Sequence, residues 1–411
     1  MRTAKKSSLA LIMILTVALV LRLALIFKYG NLLTLDSDDL NYIKSAVYLL
    51  RSGLLTYQSY HEPTVYIMPG YPAFLALIFK IFGSESDGIQ AIRIIQAIIS
   101  TATILIVYLM AKRLFNSPAA ILSAAFLAIY PPNMTTAGFL MTETIFTFLL
   151  CLLIYSSILC VSEPSVKKFV FLGAFLAVVT LFRPTIAMYP ALLFIYLLIS
   201  HRMKVGMLIK QGAVMILSFC IIMSPWWIRN YIEYATFIPL SASSGNPMLQ
   251  GTYIHYRQTP DNITYYKLGK DAFETDQNEV ETAKKRIKEG FKKDFWSYLQ
   301  WYTIGKTRYY WGTIFYWKEF AGISQYHVLA LHYMILSGFF GMGILILTNY
   351  KEHLLPILTI LYFNAVHCVY MAFDRYAFPV IPVMTMYSAY FMIYVHKTLL
   401  ISNGRIEYKP G

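Results

Sequence analysis

The sequence is poor in charged residues and in cysteine. Only 14% of its 411 residues are Asp, Glu, Lys or Arg, against about 25% in an ordinary soluble domain, while 57% are hydrophobic. A globular core cannot bury that much apolar surface, so the composition excludes a soluble protein. An aromatic content of 16% excludes a disordered one. The four cysteines lie in apolar runs and have neither metal-ligand spacing nor the density of a disulfide framework.

Several motifs are also absent. The sequence contains no glycine-rich phosphate loop, no HExxH or CxxC motif, and no obvious internal repeat or low-complexity stretch. We therefore expect no soluble nucleotide cofactor. The net charge of +14 would suggest nucleic acid in a soluble protein, but here Lys and Arg collect in short loops between apolar runs. The membrane, and not nucleic acid, is the predicted partner.

The sequence does have long apolar runs. Ten are predicted to span the membrane as helices, at about 9–27, 89–111, 118–132, 138–160, 169–182, 184–200, 207–225, 327–348, 353–371 and 376–397. The predicted fold class is an all-α polytopic membrane protein. Arg22, near the outer end of the first run, is expected to snorkel toward the interface.

One long run decides the topology. Val170–Ser200 as a single helix would be about 45 Å long, against a hydrocarbon core of about 30 Å. Pro184 disfavours helical geometry at Arg183, so we predict two passes joined by a turn there. Nearly every short basic loop, including 202–210, then lies inside, as the positive-inside rule requires. Both termini are predicted to be cytoplasmic.

This topology predicts three parts. Residues 1–225 form an N-terminal transmembrane module, whose first outer loop, about 28–88, carries the catalytic residues. Residues 226–324 form a second extracytoplasmic segment with an amphipathic helix. Residues 325–411 form C-terminal transmembrane helices and a short cytoplasmic tail. The chain is expected in the cell membrane, with its chemistry on the extracytoplasmic side.

Three acids crowd the first outer loop. Asp36, Asp38 and Asp39 precede an apolar pattern that begins at Leu40 and repeats every three or four residues, which predicts an amphipathic helix on the membrane surface. One interpretation is a helix cap, because acids are favoured at a helix N-terminus. The other is a catalytic or metal-binding carboxylate, because three acids repel one another and exceed what a cap needs. A second interfacial helix is predicted over Tyr66–Phe82.

The order of these features resembles the GT-C membrane glycosyltransferases, especially the branch of protein O-mannosyltransferases and aminoarabinose transferases. Five motifs agree with the family in order: Asp38-Asp39-x-x-Tyr42 with Pro69-Gly70-Tyr71-Pro72, Met141-Thr142-Glu143, Leu181-Phe182-Arg183-Pro184-Thr185, Pro225-Trp226-Trp227-Ile228-Arg229 continuing to Gly251, and Arg375-Tyr376-Ala377-Phe378-Pro379. The resemblance implies a sugar donor carried on a polyprenyl phosphate and used at the outer face. The acceptor would be a hydroxyl or amine on a glycan, lipid or protein.

The resemblance also implies roles for the acids. The phosphate leaving group needs little acid assistance, but the acceptor hydroxyl needs a base, and Asp38 is the implied base as the first acid of the pair. Asp39 would orient Asp38 or hold a divalent cation, and Glu143 would be the third ligand of that cation. Direct displacement would invert the anomeric centre. A covalent route with a second carboxylate as nucleophile stays open.

Arginines at predicted outer span ends are the implied phosphate ligands, because a planar guanidinium suits phosphate. The alternative for each is interface anchoring or pairing with an acid. Where the family often has a basic residue or second proline before Pro-Gly-Tyr, this chain has Ile67-Met68, and His61 is the candidate replacement. The candidate substrate-binding residues are Tyr42, His61, Tyr71, Glu143, Arg183, Arg229, Arg375 and Tyr376.

The second outer segment contains another amphipathic pattern. Gln277–Gln300 is predicted as one helix with an apolar face and a basic face, suited either to anionic lipid or merely to solvent. Two competing functions remain for the whole chain. A lipid-linked oligosaccharide polymerase or ligase would also use outer loops. A transporter or flippase would place polar residues in mid-span.

Overall fold

The computed structural model describes residues 2–57, 59 and 62–402, and these residues form helices joined by turns and loops without any β-strand. The first ten helices are α1 Arg2–Tyr29, α2 Asp38–Ser52, α3 Gly70–Phe82, α4 Ser86–Leu114, α5 Ser117–Ile129, α6 Pro131–Thr135, α7 Thr142–Ser162, α8 Val166–Phe182, α9 Tyr189–Ser200 and α10 Val205–Tyr234. The rest are α11 Gly245–Gln250, α12 Ala272–Lys293, α13 Phe295–Gln300, α14 Lys306–Gly312, α15 Gln325–Leu336, α16 Gly338–Thr348, α17 Tyr350–Val369, α18 Asp374–Ala377 and α19 Ile381–Ser402. A π-helical turn, Trp301–Gly305, joins α13 to α14.

Seven described helical stretches are long and apolar enough to cross a membrane. They are Lys6–Leu32, Ser86–Leu114, Thr142–Ser162, Val205–Tyr234, Gln325–Thr348, Tyr350–Val369 and Asp374–Leu400. The other three predicted spans coincide with helices of fewer than 18 residues: α5, α8 and the segment Pro184–Ser200. The all-α membrane fold is therefore confirmed. The number of ten spans remains a prediction, because a 13-residue helix such as α5 is only about 20 Å long.

The break at Arg183-Pro184 lies where the sequence predicts it. Helix α8 ends at Phe182, and Arg183 is extended, with φ −147° and ψ 123°. A short 3-10 turn follows, and α9 begins at Tyr189. The proline removes helical geometry from the residue before it, so Arg183 lies between the two helices and not within either.

Arg22 does not snorkel. Its side chain is completely buried between α1, α4 and α5. Its guanidinium donates hydrogen bonds to the hydroxyl of Ser100 at 2.9 Å and to the carbonyls of Ala18, Leu127 and Ala128. The expectation was wrong because neighbouring helices supply acceptors that the interface would otherwise supply.

The first outer loop holds the two expected helices, α2 and α3, with shifted starts. Helix α2 begins at Asp38, two residues before the apolar pattern, and ends at Ser52; the next residue, Gly53, has a left-handed φ of 71°. Helix α3 begins at Gly70, because Tyr66–Pro69 is not helical. A Cβ at Gly70 would lie 2.6 Å from the carbonyl oxygen of Leu181, so glycine allows α3 to approach the end of α8.

The helix predicted over Gln277–Gln300 is two helices. Helix α12 ends at Lys293, and the Asp294 carboxylate accepts a hydrogen bond from the Ser297 backbone N–H at 3.1 Å. Asp294 therefore caps α13 and turns the chain. The buried face of α12 carries two acids, Asp276 and Glu279, together with Ala283 and Gly290.

Candidate active site

Asp38 and Arg375 meet, although 337 residues separate them in sequence. Asp38 begins α2, and Arg375 lies in α18. The Arg375 guanidinium donates from Nη1 to Asp38 Oδ2 at 2.7 Å. The Asp38 side chain is 39% exposed and that of Arg375 is 14% exposed. The carboxylate predicted as a base is thus accessible and lies against an arginine predicted as a phosphate ligand.

Glu143 ties two predicted arginines together. Its carboxylate is completely buried in the first turn of α7, where Oε1 accepts from Arg375 Nε at 2.5 Å and from Arg183 Nη2 at 2.6 Å. Arg183 also donates from Nε to the Thr142 hydroxyl at 3.0 Å. A buried carboxylate is tolerated when it is paired in this way. Asp38, Glu143, Arg183 and Arg375 therefore form one cluster with two negative and two positive groups, which we call the Asp38 cluster.

One tyrosine contacts Asp38, and two further tyrosines pack against it. The Tyr57 hydroxyl donates to Asp38 Oδ1 at 2.9 Å. The ring of Tyr57 is 5.4 Å from that of Tyr42 and stacks on that of Tyr66 at 5.5 Å. Burial, and then the charge of Asp38, raise the pKa of Tyr42 above its ordinary value and that of Tyr66 to about 12, so both stay protonated near neutral pH. Sequence reasoning missed Tyr57, which lies in an irregular segment with no motif around it.

Asp39 faces the other way. Its buried carboxylate accepts from the Thr34 hydroxyl at 2.5 Å and from the backbone N–H groups of Leu35 at 2.9 Å and Ser37 at 3.0 Å. These bonds fold the chain just before α2, where Asp36 has a left-handed φ of 53°. Asp39 thereby fixes the start of the helix that carries Asp38.

The other predicted ligands lie outside the Asp38 cluster. Arg229 donates to the Thr64 carbonyl at 2.8 Å and lies over the Trp226 ring. The Tyr71 hydroxyl donates to Gln96 at 2.9 Å. Tyr376 follows Arg375, and its ring stacks on His367 at 4.6 Å. His61 lies outside the described residues.

The described residues do not fit a divalent cation as they are arranged. No group of three or more His, Cys, Asp or Glu residues in the described part of the chain could hold a metal ion. Asp39 uses its oxygens for the 34–37 turn, and the carboxylates of Glu143 and Asp38 are held by Arg375.

One family model matches part of the chain. Residues 61–228 match the family described as dolichyl-phosphate-mannose-protein mannosyltransferase. This range contains Glu143 and Arg183 but neither Asp38 nor Arg375. No curated protein matches the chain in sequence.

Solved structures share the fold over most of the chain. ArnT from Cupriavidus metallidurans, bound to undecaprenyl phosphate, is 14% identical with a TM-score of 0.56, and the match covers 93% of this chain and 62% of ArnT. The archaeal oligosaccharyltransferase AglB from Archaeoglobus fulgidus, in complex with an inhibitory peptide and a dolichol-phosphate, is 12% identical with a TM-score of 0.57, covering 100% of this chain and 53% of AglB. The chain thus spans between half and two thirds of the length of these proteins. The resemblance predicted from the motifs is confirmed as a similarity: one family model matches residues 61–228, and ArnT and AglB share the fold over 93% and 100% of the chain.

Proposed function

We propose that this protein transfers a sugar from a polyprenyl-phosphate donor to an acceptor hydroxyl or amine at the extracytoplasmic face of the membrane. The observation that carries the proposal is the contact between Asp38 and Arg375. It pairs an accessible carboxylate with a guanidinium at the start of the apolar stretch Asp374–Leu400, where a lipid phosphate would lie. The solved structures of similar fold add support, because ArnT was bound to undecaprenyl phosphate and AglB to a dolichol-phosphate.

The proposed reaction is a direct displacement. Asp38 accepts the proton of the acceptor hydroxyl, and the acceptor oxygen attacks the anomeric carbon of the donor. The bond between that carbon and the phosphate oxygen breaks, and polyprenyl phosphate leaves with the electron pair. Arg375 stabilises the charge on the departing phosphate. Arg183 pairs with the same Glu143 carboxylate and offsets its negative charge, so that Arg375 keeps positive charge for the phosphate. One displacement inverts the anomeric centre.

The charge balance of the Asp38 cluster suits this reaction. Without donor, Asp38 and Glu143 neutralise the two arginines. A donor phosphate would compete with Asp38 for Arg375 Nη1, and this would free the carboxylate to accept a proton only when donor is bound. Glu143, completely buried, would keep Arg375 Nε and Arg183 Nη2 in place throughout.

The extracytoplasmic placement is inferred from charge. With Lys112-Arg113, Lys167-Lys168 and the 202–210 loop inside, the starts of α2, α7 and α18 lie at the opposite side of the bilayer. The similarity to AglB, an oligosaccharyltransferase, favours one second candidate, in which the donor carries an oligosaccharide instead of a single sugar.

The test is transfer by the purified protein from a panel of donors. Polyprenyl phosphates bearing single sugars and polyprenyl-linked oligosaccharides would be presented in nanodiscs with extracted envelope glycans, lipids and proteins as acceptors. We expect release of polyprenyl phosphate and labelled acceptor with at least one single-sugar donor. Transfer from oligosaccharide donors alone would favour the second candidate, and no transfer from any donor would contradict both.

A further inference from the structure

A buried lysine lies at the end of α17, close to the turn that leads to Arg375. Lys306, the first residue of α14, is 0% exposed. Its ammonium donates to the carbonyl oxygens of Cys368 at 2.9 Å and Tyr370 at 2.8 Å. It also lies 3.8 Å from the centroid of the Tyr302 ring. Within the described part of the chain, no carboxylate forms an ion pair with it.

The two carbonyls explain why a cation is there. The last carbonyls of a helix have no partner within the helix, and α17 ends at Val369, between Cys368 and Tyr370. A positive charge at a helix C-terminus is favourable. Burial still penalises the ammonium and lowers the pKa of Lys306 to about 7. An apolar side chain would avoid that penalty, so the hydrogen bonds to the end of α17 are what lysine specifically supplies.

The same turn is held at several further points. The Ala372 backbone N–H donates to the Tyr256 hydroxyl at 2.7 Å, and the Phe373 ring packs 5.1 Å from the Tyr256 ring. The Tyr310 hydroxyl donates to the Tyr376 carbonyl at 3.0 Å. Hydrogen bonds and ring packing with the second outer segment thus hold residues 368–376, which include Arg375, in place.

The backbone around Lys306 is shaped for this contact. The π-helical turn Trp301–Gly305 directly precedes it, and such a turn changes the direction in which the following side chains point. The Trp301 indole donates to the Gly251 carbonyl at 2.9 Å. A Cβ at Gly251 would lie 2.2 Å from the Tyr370 oxygen and 2.9 Å from the Lys306 ammonium. Glycine at 251 therefore leaves the room in which Lys306 meets Tyr370.

We propose that Lys306 is a positioning residue: through its hydrogen bonds to Cys368 and Tyr370 it fixes the turn that presents Arg375 to Asp38 and Glu143. Lys306 touches none of the Asp38 cluster itself and acts only through the backbone between residues 370 and 375. The proposal rests on the proposed function, because it assigns Lys306 to that reaction.

The experiment compares Lys306→Met and Gly251→Ala with wild type, and uses Lys288→Met, an exposed lysine of α12, as the control. Hydrogen exchange measured by mass spectrometry reports on the turn without any need for turnover. We expect faster exchange over residues 370–376 in both variants and no change in the control. Gly251→Ala perturbs the same contact by crowding and leaves the lysine in the core, so it keeps the test decisive if Lys306→Met does not fold.

Steady-state kinetics then separate positioning from mere stability. We expect each variant to lose at least tenfold in kcat/KM for the donor while the folded fraction is unchanged. Arg375→Lys should cause less additional loss in the Lys306→Met or Gly251→Ala background than in wild type, because the turn no longer presents Arg375. Fully additive losses, or normal kinetics despite faster exchange, would overturn the positioning role.

The two proposals fail in different ways. If wild type transfers sugar and the variants match it, only the positioning role of Lys306 is wrong. If wild type transfers no sugar from any donor, the proposed function is wrong and the positioning role falls with it. Unchanged hydrogen exchange over residues 370–376 in both variants would show that the Lys306 contact does not fix the turn, and would contradict the positioning role whatever the activity of the enzyme.

Discussion

Arg375 is the residue on which the Asp38 cluster converges, since its guanidinium contacts both Asp38 and Glu143. Lysine at this position keeps the charge but cannot reach two partners as a planar fork. We expect Arg375→Lys to weaken donor use several-fold and Arg375→Ala to weaken it far more. The latter also leaves the buried Glu143 with Arg183 as its one cationic partner and lowers stability, so Arg375→Lys is the sharper variant.

The measurement is kcat/KM for the donor, with thermal unfolding as the check on folding. Arg113→Lys is the matched control, because Arg113 is exposed in the last turn of α4, where its guanidinium donates to the Ser162 hydroxyl at 2.6 Å. Equal donor use by wild type and Arg375→Ala would exclude the phosphate contact.

Tyr57 offers a second test at a single residue. Tyr57→Phe removes the hydroxyl that donates to Asp38 and keeps the ring that packs on Tyr42 and Tyr66. Without this hydrogen bond the Asp38 carboxylate loses a partner that orients it toward the acceptor, so we expect kcat to fall about tenfold. The KM for the donor should stay nearly constant. Tyr265→Phe, at an exposed position, is the control; a loss of the same size there would show that the effect is not specific to Asp38.

The sequence predicted the members of the Asp38 cluster better than their contacts. All four residues were candidates: Asp38 as the first acid of the family-like pair, and Glu143, Arg183 and Arg375 as charged residues of family-like motifs at predicted outer span ends. Which arginine meets which acid depends on packing between distant helices, as the separation of Asp38 from Arg375 illustrates. The same long-range packing buried Arg22, which local sequence placed at the interface.

At the scale of elements, a helix end could be predicted where one residue determines it locally, and could not be predicted from a hydrophobic pattern alone. The proline after Arg183 acts on the adjacent residue, so the break between α8 and α9 could be predicted. The break in the predicted Gln277–Gln300 helix could not, because Asp294 caps α13 within a pattern that is amphipathic on both sides of it. A hydrophobic period alone does not locate a cap.

In the predicted topology the α8–α9 turn decides which loops lie inside, and cysteine labelling tests this directly. Lys204 is exposed in the loop before α10, and Lys285 is exposed on α12. In intact cells, a membrane-impermeant reagent should label Lys285→Cys and leave Lys204→Cys unreacted until the membrane is opened. Labelling of Lys204→Cys from outside would contradict the predicted orientation of every later loop.

At the scale of the molecule, the site draws on both ends of the chain. Asp38 comes from the first outer loop, Glu143 and Arg183 from the middle, and Arg375 from the start of the last span. The second outer segment contacts both the first outer loop and the C-terminal helices. Arg229 donates to the Thr64 carbonyl, and Lys306 donates to the Cys368 carbonyl at the end of α17. Stability and site geometry are therefore coupled through residues 226–324.

Lys306 gives this coupling a pH dependence. Its pKa is lowered to about 7 in the folded protein, against about 10.4 in an unfolded chain, so the unfolded state binds more protons between these values. Its contribution to the free energy of unfolding should rise with pH across that window. Cys368 and Tyr302, the ionisable neighbours, are present in wild type and in Lys306→Met alike. The wild-type unfolding temperature should therefore increase relative to Lys306→Met between pH 7 and pH 9, and a constant difference would contradict the lowered pKa.

The central claim is that Asp38 is the base of a sugar transfer from a lipid phosphate, and Asp38→Asn tests it most directly. Asparagine keeps the size of the side chain and its ability to accept from Tyr57, but it cannot take the acceptor's proton. The account predicts at least a 100-fold loss of kcat, in line with what general-base catalysis contributes, with donor binding retained. Near-normal turnover in Asp38→Asn, with turnover abolished in Asp36→Asn or Asp39→Asn, would contradict it.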